Sequence, residues 1–415
     1  MANTLVTSSI IVAETLRVLH NKSAFLGNIN TQYDDQFARS GAKAGETINV
    51  KRPVQYTIRD GAVASIQDVN QTKVPLTISP EFGIDWDFSD RDLTLSVDNF
   101  SKEFLEPAGT RLAAELDLRI GALYKQVANF TGTPGTVPAT ALSALLAGVL
   151  LDDNAAPRDD KRTMALNPLA NATLVSGLSG LLNSQTEVSK QYKSGVMGSS
   201  LGMDFIMSQN LPTHTVGAHG GTPLTNGANQ GVSAVGATDN PYAATTTLAT
   251  DGWTNSITGI LKAGDVITIA GVYAVNPETK QSTGQLRTFV VTADVNSGAA
   301  TGPANVIISP AIIASGAYQN CSNLAADGQA IVVKTGTAST AYNQNILYHK
   351  DAFTLATVDM DIPKGMDMAA RSVYDGVSLR FVRGFDIVNN RRICRFDILA
   401  GMAALRPEWA CRLTS

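Results

Sequence analysis

Charge is scarce in this sequence. Asp, Glu, Lys and Arg make up 16% of its 415 residues, against about a quarter in ordinary globular domains. The formal net charge is −4, so bulk electrostatics give no footing for nucleic-acid binding. Aromatic residues are also few, at 6%. The three cysteines, Cys321, Cys394 and Cys411, are scattered and form no C-x-x-C. That spacing supports neither a disulfide framework nor a zinc site, and leaves three small core hydrophobes. No apolar window nears the ~18 residues of a membrane-spanning helix. The start of the chain has no basic n-region, and Glu14 and Arg17 interrupt its one early apolar run. A signal peptide is therefore not expected, and the chain is expected to be cytosolic where it is made. The P-loop pattern is absent, as is any G-x-G-x-x-G in a strand–helix setting.

Small residues are plentiful instead, with 35 glycines. Low charge and many small side chains fit a β-rich, loop-rich protein or one that hides much of its surface in partners. The length allows two or three domains. The rest of the chain is organised around Glu106–Phe130, which reads as one long helix. Leu112, Leu116, Ile120, Leu123 and Val127 follow at spacings of four, four, three and four, a single stripe at 3.6-residue period. Pro107 suits a first helical turn, and Gly132, Pro134 and Gly135 end the pattern. About 25 residues at ~1.5 Å each make a rod of roughly 37 Å. Arg111, Glu115 and Arg119 lie off the stripe.

Before the helix, Ser8–His20 reads as a short helix with Val12, Leu16 and Leu19 on one side, followed by a polar link with Asp34, Asp35 and Arg39. Thr47–Ile58 and Lys73–Phe88 read as two strand regions joined by a polar tip, an extended β-hairpin. In the second, Val74, Leu76 and Ile78 alternate with polar residues, as do Phe82, Ile84, Trp86 and Phe88. Such a hairpin cannot bury both faces alone and implies a neighbour. After the helix comes an α/β layer. Ala139–Leu151 is helical with Leu142, Leu145, Leu146, Val149 and Leu150 apolar, Thr163–Leu166 is a strand, Pro168–Leu182 is helical and Met203–Ser208 is a strand.

The character then changes. From Pro212 to Thr340 only ten residues are charged. Strands are expected at Ala243–Leu248, Asp265–Val275, Leu286–Val295, Ala304–Ile312 and Gln329–Lys334. Several short strands without helical pattern indicate a small barrel or sandwich, inserted into a host whose α/β character resumes beyond it. The stretch Thr213–Asn240 is expected to be a mobile lead-in. Asp351–Asp361 reads as a strand region and Pro363–Ala369 as a polar loop. Ser378–Val388 and Arg392–Leu399 read as a hairpin turning at Asn389-Asn390.

Candidate chemistry is thin. Gly198-Ser199-Ser200-Leu201-Gly202 matches G-x-S-x-G, but a strand follows it where the hydrolase turn needs a helix. His214 and His219 are five apart with no carboxylate or cysteine nearby in sequence, which is poor metal-site spacing. Asp152, Asp153, Asp159 and Asp160 alternate with Arg158, Lys161 and Arg162, the pattern of a self-neutralising loop. The strongest local charge is Arg380, Arg383, Arg391, Arg392 and Arg395. These arginines either meet phosphate or an acidic partner surface, or form an exposed strand face balanced by Asp386 and Asp397. No catalytic, cofactor or metal residues are assigned, and no enzyme is expected. The fold class is α+β.

Leu379-Arg380-Phe381-Val382-Arg383-Gly384-Phe385-Asp386-Ile387 and Ala403-Ala404-Leu405-Arg406-Pro407-Glu408 resemble the C-terminal strands of tailed-phage major capsid proteins. Tyr342-Asn343-Gln344-Asn345 with His349-Lys350-Asp351-Ala352-Phe353, and Leu261-Lys262-Ala263-Gly264-Asp265 with Ala270-Gly271-Val272, resemble the same family. The branch is that of the coat protein of short-tailed Salmonella phages. The resemblance implies a Hong Kong 97-type capsid fold with a long spine helix, an extended β-hairpin loop and an inserted, telokin-like all-β domain. It divides the chain into an N-terminal arm (1–45), the extended loop (46–90), a peripheral domain with the spine helix (91–135) and a first axial part (136–212). The insertion (213–340), a second axial part (341–376) and C-terminal peripheral strands (377–415) follow. It implies a virion protein, assembled in the host cytoplasm, that closes with copies of itself into pentamers and hexamers of an icosahedral shell. The implied partners are a scaffolding protein, a portal, a decoration protein and non-specifically packaged double-stranded DNA, with no membrane. In that setting Leu112, Leu116, Ile120 and Leu123 are the spine-helix core. Arg111, Glu115 and Arg119, with the five C-terminal arginines, are candidate contacts to neighbours or DNA. The other reading is a β-rich phage tail or surface-layer protein, which needs no long central helix followed by an α/β layer.

Overall fold

The computed structural model describes residues 8–31, 47–59, 61–64, 66, 73–78, 81–89, 104–178, 198–232, 244–363, 365–389 and 391–415. Four helices lie among them, α1 Ser8–Lys22, α2 Glu106–Gly121, α3 Ala141–Asp153 and α4 Pro168–Leu178. Strands β1 Thr47–Lys51, β2 Lys73–Thr77, β3 Glu81–Ser89 and β4 Phe130–Thr131 come early. Next are β5 Arg162–Leu166, β6 Ser199–Ser200, β7 Met203–Met207, β8 Thr213–Thr215 and β9 Gly221–Thr225. Then come β10 Thr246–Trp253, β11 Val266–Val275, β12 Ser282–Val291, β13 Ala304–Ser309 and β14 Ile331–Val333. The chain closes with β15 Ala341–His349, β16 Phe353–Val358, β17 Met368–Tyr374, β18 Val377–Asp386, β19 Arg391–Ala404 and β20 Ala410–Thr414. The mixture is α+β, as expected, and it divides into two compact units.

The first unit gathers the described residues of 1–49, 75–120 and 353–403. Its sheet runs β16-β19-β18-β17, with β3 also paired to β19. The β18–β19 hairpin forms as its alternation predicts, with Phe381 opposite Phe396 and Arg380 opposite Asp397. Leu379, Phe381, Phe396 and Ile398 are buried, whereas Phe385 and Ile387, farther along β18 and its turn, are exposed near the tip. Residue 390 of that turn lies outside the described residues. The loop expected at Pro363–Ala369 gives way at Met368 to β17, which turns into β18 at Asp375-Gly376. Both turn residues have positive φ, 48° and 76°, the geometry that a two-residue hairpin turn needs and Asp-Gly supplies.

Helix α1 packs against β17 and β18, burying Val12, Leu16 and Leu19 as its spacing predicts. Beyond it, Asn30 forms a parallel bridge with Thr354 of β16. The described part of the arm thus lies on its own unit; the link with Asp34, Asp35 and Arg39 lies outside the described residues. Leu112, Leu116 and Ile120 of α2 are buried, at 2%, 0% and 2% exposure. The helix is shorter than its apolar stripe suggests. It ends at Gly121, and Ala122–Gln126 tightens into a 3-10 turn. The stripe persists because Leu123 and Val127 are buried anyway, so periodicity alone could not locate the end.

The expected extended hairpin is also cut up. β1 stops at Lys51, where Pro53 follows and cannot donate to a ladder. Residues 52–59 have no regular structure. The region read as one strand splits into β2, which pairs with β1, and β3, which pairs with β19. Val74, Leu76 and Ile78 are buried as their alternation predicts. Most of the polar tip lies outside the described residues.

The second unit gathers the described residues of 50–74, 121–352 and 404–415. Its seven-stranded sheet runs β4-β20-β15-β5-β7-β6, with β8 also on β15. β20 pairs antiparallel with β15. β15 was not legible as a strand because it opens on Ala-Tyr-Asn-Gln-Asn, whose polar side chains are here spent on hydrogen bonds. Asn345 Nδ2 donates to the Leu413 carbonyl at 3.1 Å, and its Oδ1 accepts from the Asn167 N–H at 2.8 Å. Helices α3 and α4 cover this sheet. α3 turns Ala144, Ala147, Gly148 and Leu151 inward, where they meet Met164, Phe205, Leu347 and Leu413. Leu142, Leu145, Leu146 and Val149 point out. Leu181 and Leu182, expected to continue α4, lie outside the described residues.

Between β8 and β15 the chain makes a six-stranded antiparallel sheet, β14-β11-β12-β13-β10-β9. The sheet closes on itself. Leu224 of β9 bridges Ala330, just before β14, and Thr225 exchanges backbone bonds with Gln329 and Gly328. Its interior holds Leu248, Ile267, Ile269, Phe289, Val291, Val306 and Ile308. The inserted barrel is thus present, with each expected strand found at a shifted boundary. The stretch expected as a mobile lead-in is a correction. β8 pairs with β15, β9 is a barrel strand, and only 233–240 of the stretch lie outside the described residues. Gly and Thr there close turns and ladders, which composition cannot distinguish from a linker.

Candidate assembly surfaces and the root of the inserted barrel

Three features bear on function. The first is the arginine face of the first unit. Asp397 in β19 has no exposed surface. It accepts from Arg380 Nη2 at 2.7 Å and from Arg395 Nε at 2.5 Å. Arg395 also reaches Glu81 and Asp85, Arg383 and Arg392 share Asp367, and Arg391 meets Asp87. The five arginines are therefore laced to five carboxylates from three segments. Sequence reasoning credited only Asp386 and Asp397 as balance. Asp386 instead caps its own turn by accepting from the Val388 and Asn389 N–H groups. The cross-strand partners in β3 could be found only by knowing which strand lies beside β19.

On α2, Glu115 joins Arg111 at 3.5 Å and Arg119 at 2.9 Å. The Arg119 guanidinium sits 4.6 Å over the Phe82 ring, a cation–π contact that ties α2 to β3. The helix also carries a group that periodicity hides. Asp117 is 1% exposed and accepts from Ser23 Oγ at 2.5 Å and the Ala24 N–H at 3.0 Å. It fixes the chain where it leaves α1.

The second feature is a set of exposed apolar side chains. On α3, Leu142, Leu145, Leu146 and Val149 are 62%, 42%, 46% and 44% exposed. They recur at i, i+3, i+4 and i+7, so they form one unpartnered stripe opposite the alanine face. No residue of Ala141–Leu151 is charged. In the loop after β1, Tyr56, Ile58, Val63 and Ile66 are exposed as well, the two isoleucines almost completely. A monomer that ends its life in water rarely carries such patches.

The third is the root of the barrel. His214 in β8, 3% exposed, lies between Tyr124 and Asp265, with Nδ1 3.0 Å from the tyrosine oxygen and Nε2 2.8 Å from a carboxylate oxygen. Burial pushes the Tyr124 hydroxyl up to about 12. It therefore keeps its proton, and the His214 ring joins it to the Asp265 carboxylate. Burial alone would push the Asp265 carboxyl up, but the bonds from His214 and from the Lys262 and Gly217 N–H groups hold it below the usual range. Thr335 donates to it too, at 3.0 Å. Beside this chain lies Arg412 of β20, fully buried, donating to the Gly264 carbonyl at 2.8 Å. Its guanidinium lies 5.5 Å from the Tyr124 ring centre. Burial lowers its pKa to about 10. Tyr–His–Asp looks like a catalytic relay, but all three side chains are buried from solvent. It locks both ends of the insertion to the host.

The remaining candidates resolve simply. Ser200 and Met203 pair across a two-residue turn, Leu201-Gly202, so G-x-S-x-G is a β-hairpin. His219 donates from Nε2 to the Gly336 carbonyl at 2.9 Å and does not join His214. In the acidic loop, Asp152 holds Arg158 and Arg162, and Asp159 holds Lys161 and His349, as the interleaved charges suggested. Among the described residues no group of three or more His, Cys, Asp or Glu could hold a metal. No described helix is long and apolar enough to cross a membrane.

The chain is similar to a major capsid protein of Acyrthosiphon pisum secondary endosymbiont phage 1, 29% identical over 170 residues that cover 39% of this chain and 40% of that relative. The chain therefore spans less than half of that relative's length in the match. Among solved structures it resembles one from Mycobacterium phage Che8, at 12% identity and TM-score 0.48, covering 94% of this chain and 91% of the other. It also resembles the CUS-3 coat protein I-domain, at 26% identity and TM-score 0.20, covering 28% of this chain and 97% of the other. The family model described as P22 coat protein, gene protein 5, matches residues 30–413. The family expected from the C-terminal and re-entry residues is thus the family found, and the chain belongs to the P22 coat protein family.

Proposed function

We propose that this chain is a major capsid protein with the Hong Kong 97-type fold, many copies of which close into an icosahedral shell around phage DNA. The observation that carries this reading is the family match over residues 30–413. Its role is structural, by assembly and not by catalysis. The apolar stripe of α3 and the exposed isoleucines of the loop after β1 supply surface that neighbouring copies would cover. Each patch is only on the order of a few hundred Å², less than the roughly 800 Å² per partner of a stable isolated complex. Closed symmetric assembly multiplies such weak contacts, so an isolated subunit stays monomeric until a shell begins.

The arginine face of β18 and β19, with Arg111, Glu115 and Arg119, contacts adjacent subunits, since each guanidinium already has a carboxylate and little charge is left over for phosphate. A scaffolding protein, a portal, a decoration protein and packaged DNA are the partners this role requires or allows. Electron microscopy of the purified product, expressed with its neighbouring phage genes, tests the reading. Closed shells are expected. Tubes or sheets would point to a tail or surface-layer protein instead, and compact monomers under all conditions would refute an assembly role.

A further inference from the structure

A cavity of about 410 Å³ opens in the second unit between barrel strands β11 and β12 and the C-terminal end of α3. Arg287 of β12, Lys334, Asn129, Asp153, Asn154 and Thr288 are among the residues that line it. Arg287 is 7% exposed. Its Nη1 donates to Asn154 Oδ1 at 3.3 Å, a long bond to a neutral group. Its Nε is buried without an acceptor, and among the described residues no carboxylate lies within ion-pair distance of it.

The amides beside it are already committed. Asn129 Nδ2 donates to the carbonyls of Glu408 and Ala410, and its Oδ1 accepts from Asn154 Nδ2. Asp153 shares the cavity, and burial first and the neighbouring Asp152 second raise the pKa of its carboxyl, so its charge is poorly stabilised there. A largely buried guanidinium that faces a cavity without an ion pair of its own is costly unless an anion accompanies it. Arginine presents paired donors that match the geometry of carboxylate and phosphate oxygens.

We propose that this cavity binds a small oxyanion of the phosphate or carboxylate class, seated against Arg287 with Lys334 as the second cation. The bound anion completes the charge at the joint between barrel and α3 and tightens it. The site belongs to the single chain and does not depend on shell formation, so it can stand or fall apart from the capsid reading.

The test uses the unassembled full-length subunit and two probes, inorganic phosphate and citrate, each titrated at constant ionic strength against chloride. The unfolding midpoint should rise saturably with either probe, and isothermal titration should give one site per chain. A tighter response to phosphate or to citrate identifies which oxyanion the cavity prefers. Lys334→Gln, at an exposed position, should weaken apparent affinity about tenfold, the effect of one charge-assisted contact. Arg287→Met should abolish the saturable response, and Asp153→Asn should strengthen it by removing the opposing carboxyl. A response matched by chloride, unchanged in Lys334→Gln, or weakened in Asp153→Asn would overturn the proposal. Should Arg287→Met fail to fold, the other two variants decide.

Discussion

At the scale of single residues, the buried charges do the specifying. Asp265 has no exposed surface, yet four groups bond to it, from β8 and Gly217 just after it, the turn before β11, and the segment after β14. Asp265→Asn keeps the shape and removes the charge that those donors face. It should cost about 3 kcal/mol, the scale of breaking a buried charged network, as read from urea unfolding of the isolated subunit. The pH dependence has a defined sign. The folded carboxyl lies below its unfolded value near 4. Its contribution is therefore complete above about pH 4 and is lost as pH falls through the lower folded pKa. Wild type should show an acid-side loss of stability that Asp265→Asn lacks. An identical acid limb in both proteins would show that Asp265 does not carry it. None of this was legible in sequence. In sequence, Asp265 is one of ten charges in a polar stretch, and no spacing ties it to His214, fifty-one residues away. The signal was available in principle, because a lone carboxylate opening an apolar strand is rarely solvated on both sides.

At the scale of elements, spacing located the helices and most strands but not which face is inward or where each one stops. α2 shows the success: Leu112, Leu116 and Ile120 are buried as the stripe requires. Leu116→Asp should therefore prevent folding, since the carboxylate would have no partner in the core. Arg119→Glu should leave a folded subunit, weakened by about 1 kcal/mol through the lost cation–π contact with Phe82 and repulsion from Glu115. Its circular dichroism should match wild type while shell yield falls. α3 shows the failure. Its alanine and leucine faces are equally apolar, so period alone cannot choose between them. The small face goes in because Ala144, Ala147 and Gly148 let the helix lie close on the sheet. The paired change Leu142→Gln and Leu146→Gln should then leave the unfolding midpoint within about 0.5 kcal/mol of wild type. Shell formation should fail. A large loss of stability would mean that these leucines pack within the subunit. β15 and β17 were missed for separate reasons. The polar start of β15 is spent on internal bonds, whereas β17 overlaps the expected loop only at Met368 and Ala369 and is marked by the Asp375-Gly376 turn that follows it.

At the scale of the whole chain, the question is whether the barrel is an appendage or part of the host's core. Its two ends are adjacent, since Thr213 pairs with Asn343 and His214 with Tyr342, so a short linker could replace 213–340 without stretching the host. Geometry alone therefore permits deletion. Chemistry does not. The deletion removes the Gly264 carbonyl, the backbone acceptor of Arg412 among the described residues, and removes His214, the partner of Tyr124. Arg412 would remain buried in β20 with no acceptor in its place, at a cost of several kcal/mol. The deleted chain should therefore misfold or aggregate. Adding Arg412→Met and Tyr124→Phe to the same deletion should restore a monomeric, cooperatively unfolding host, because neither replacement leaves a buried polar group unsatisfied. Size-exclusion chromatography and thermal unfolding of the two deletion proteins, side by side, measure this. If the simple deletion folds as well as the repaired one, the barrel is an appendage and the buried root is incidental to folding. If only the repaired one folds, the insertion completes the host's core through Tyr124, His214, Asp265 and Arg412, and the shell depends on it from the first folded subunit onward.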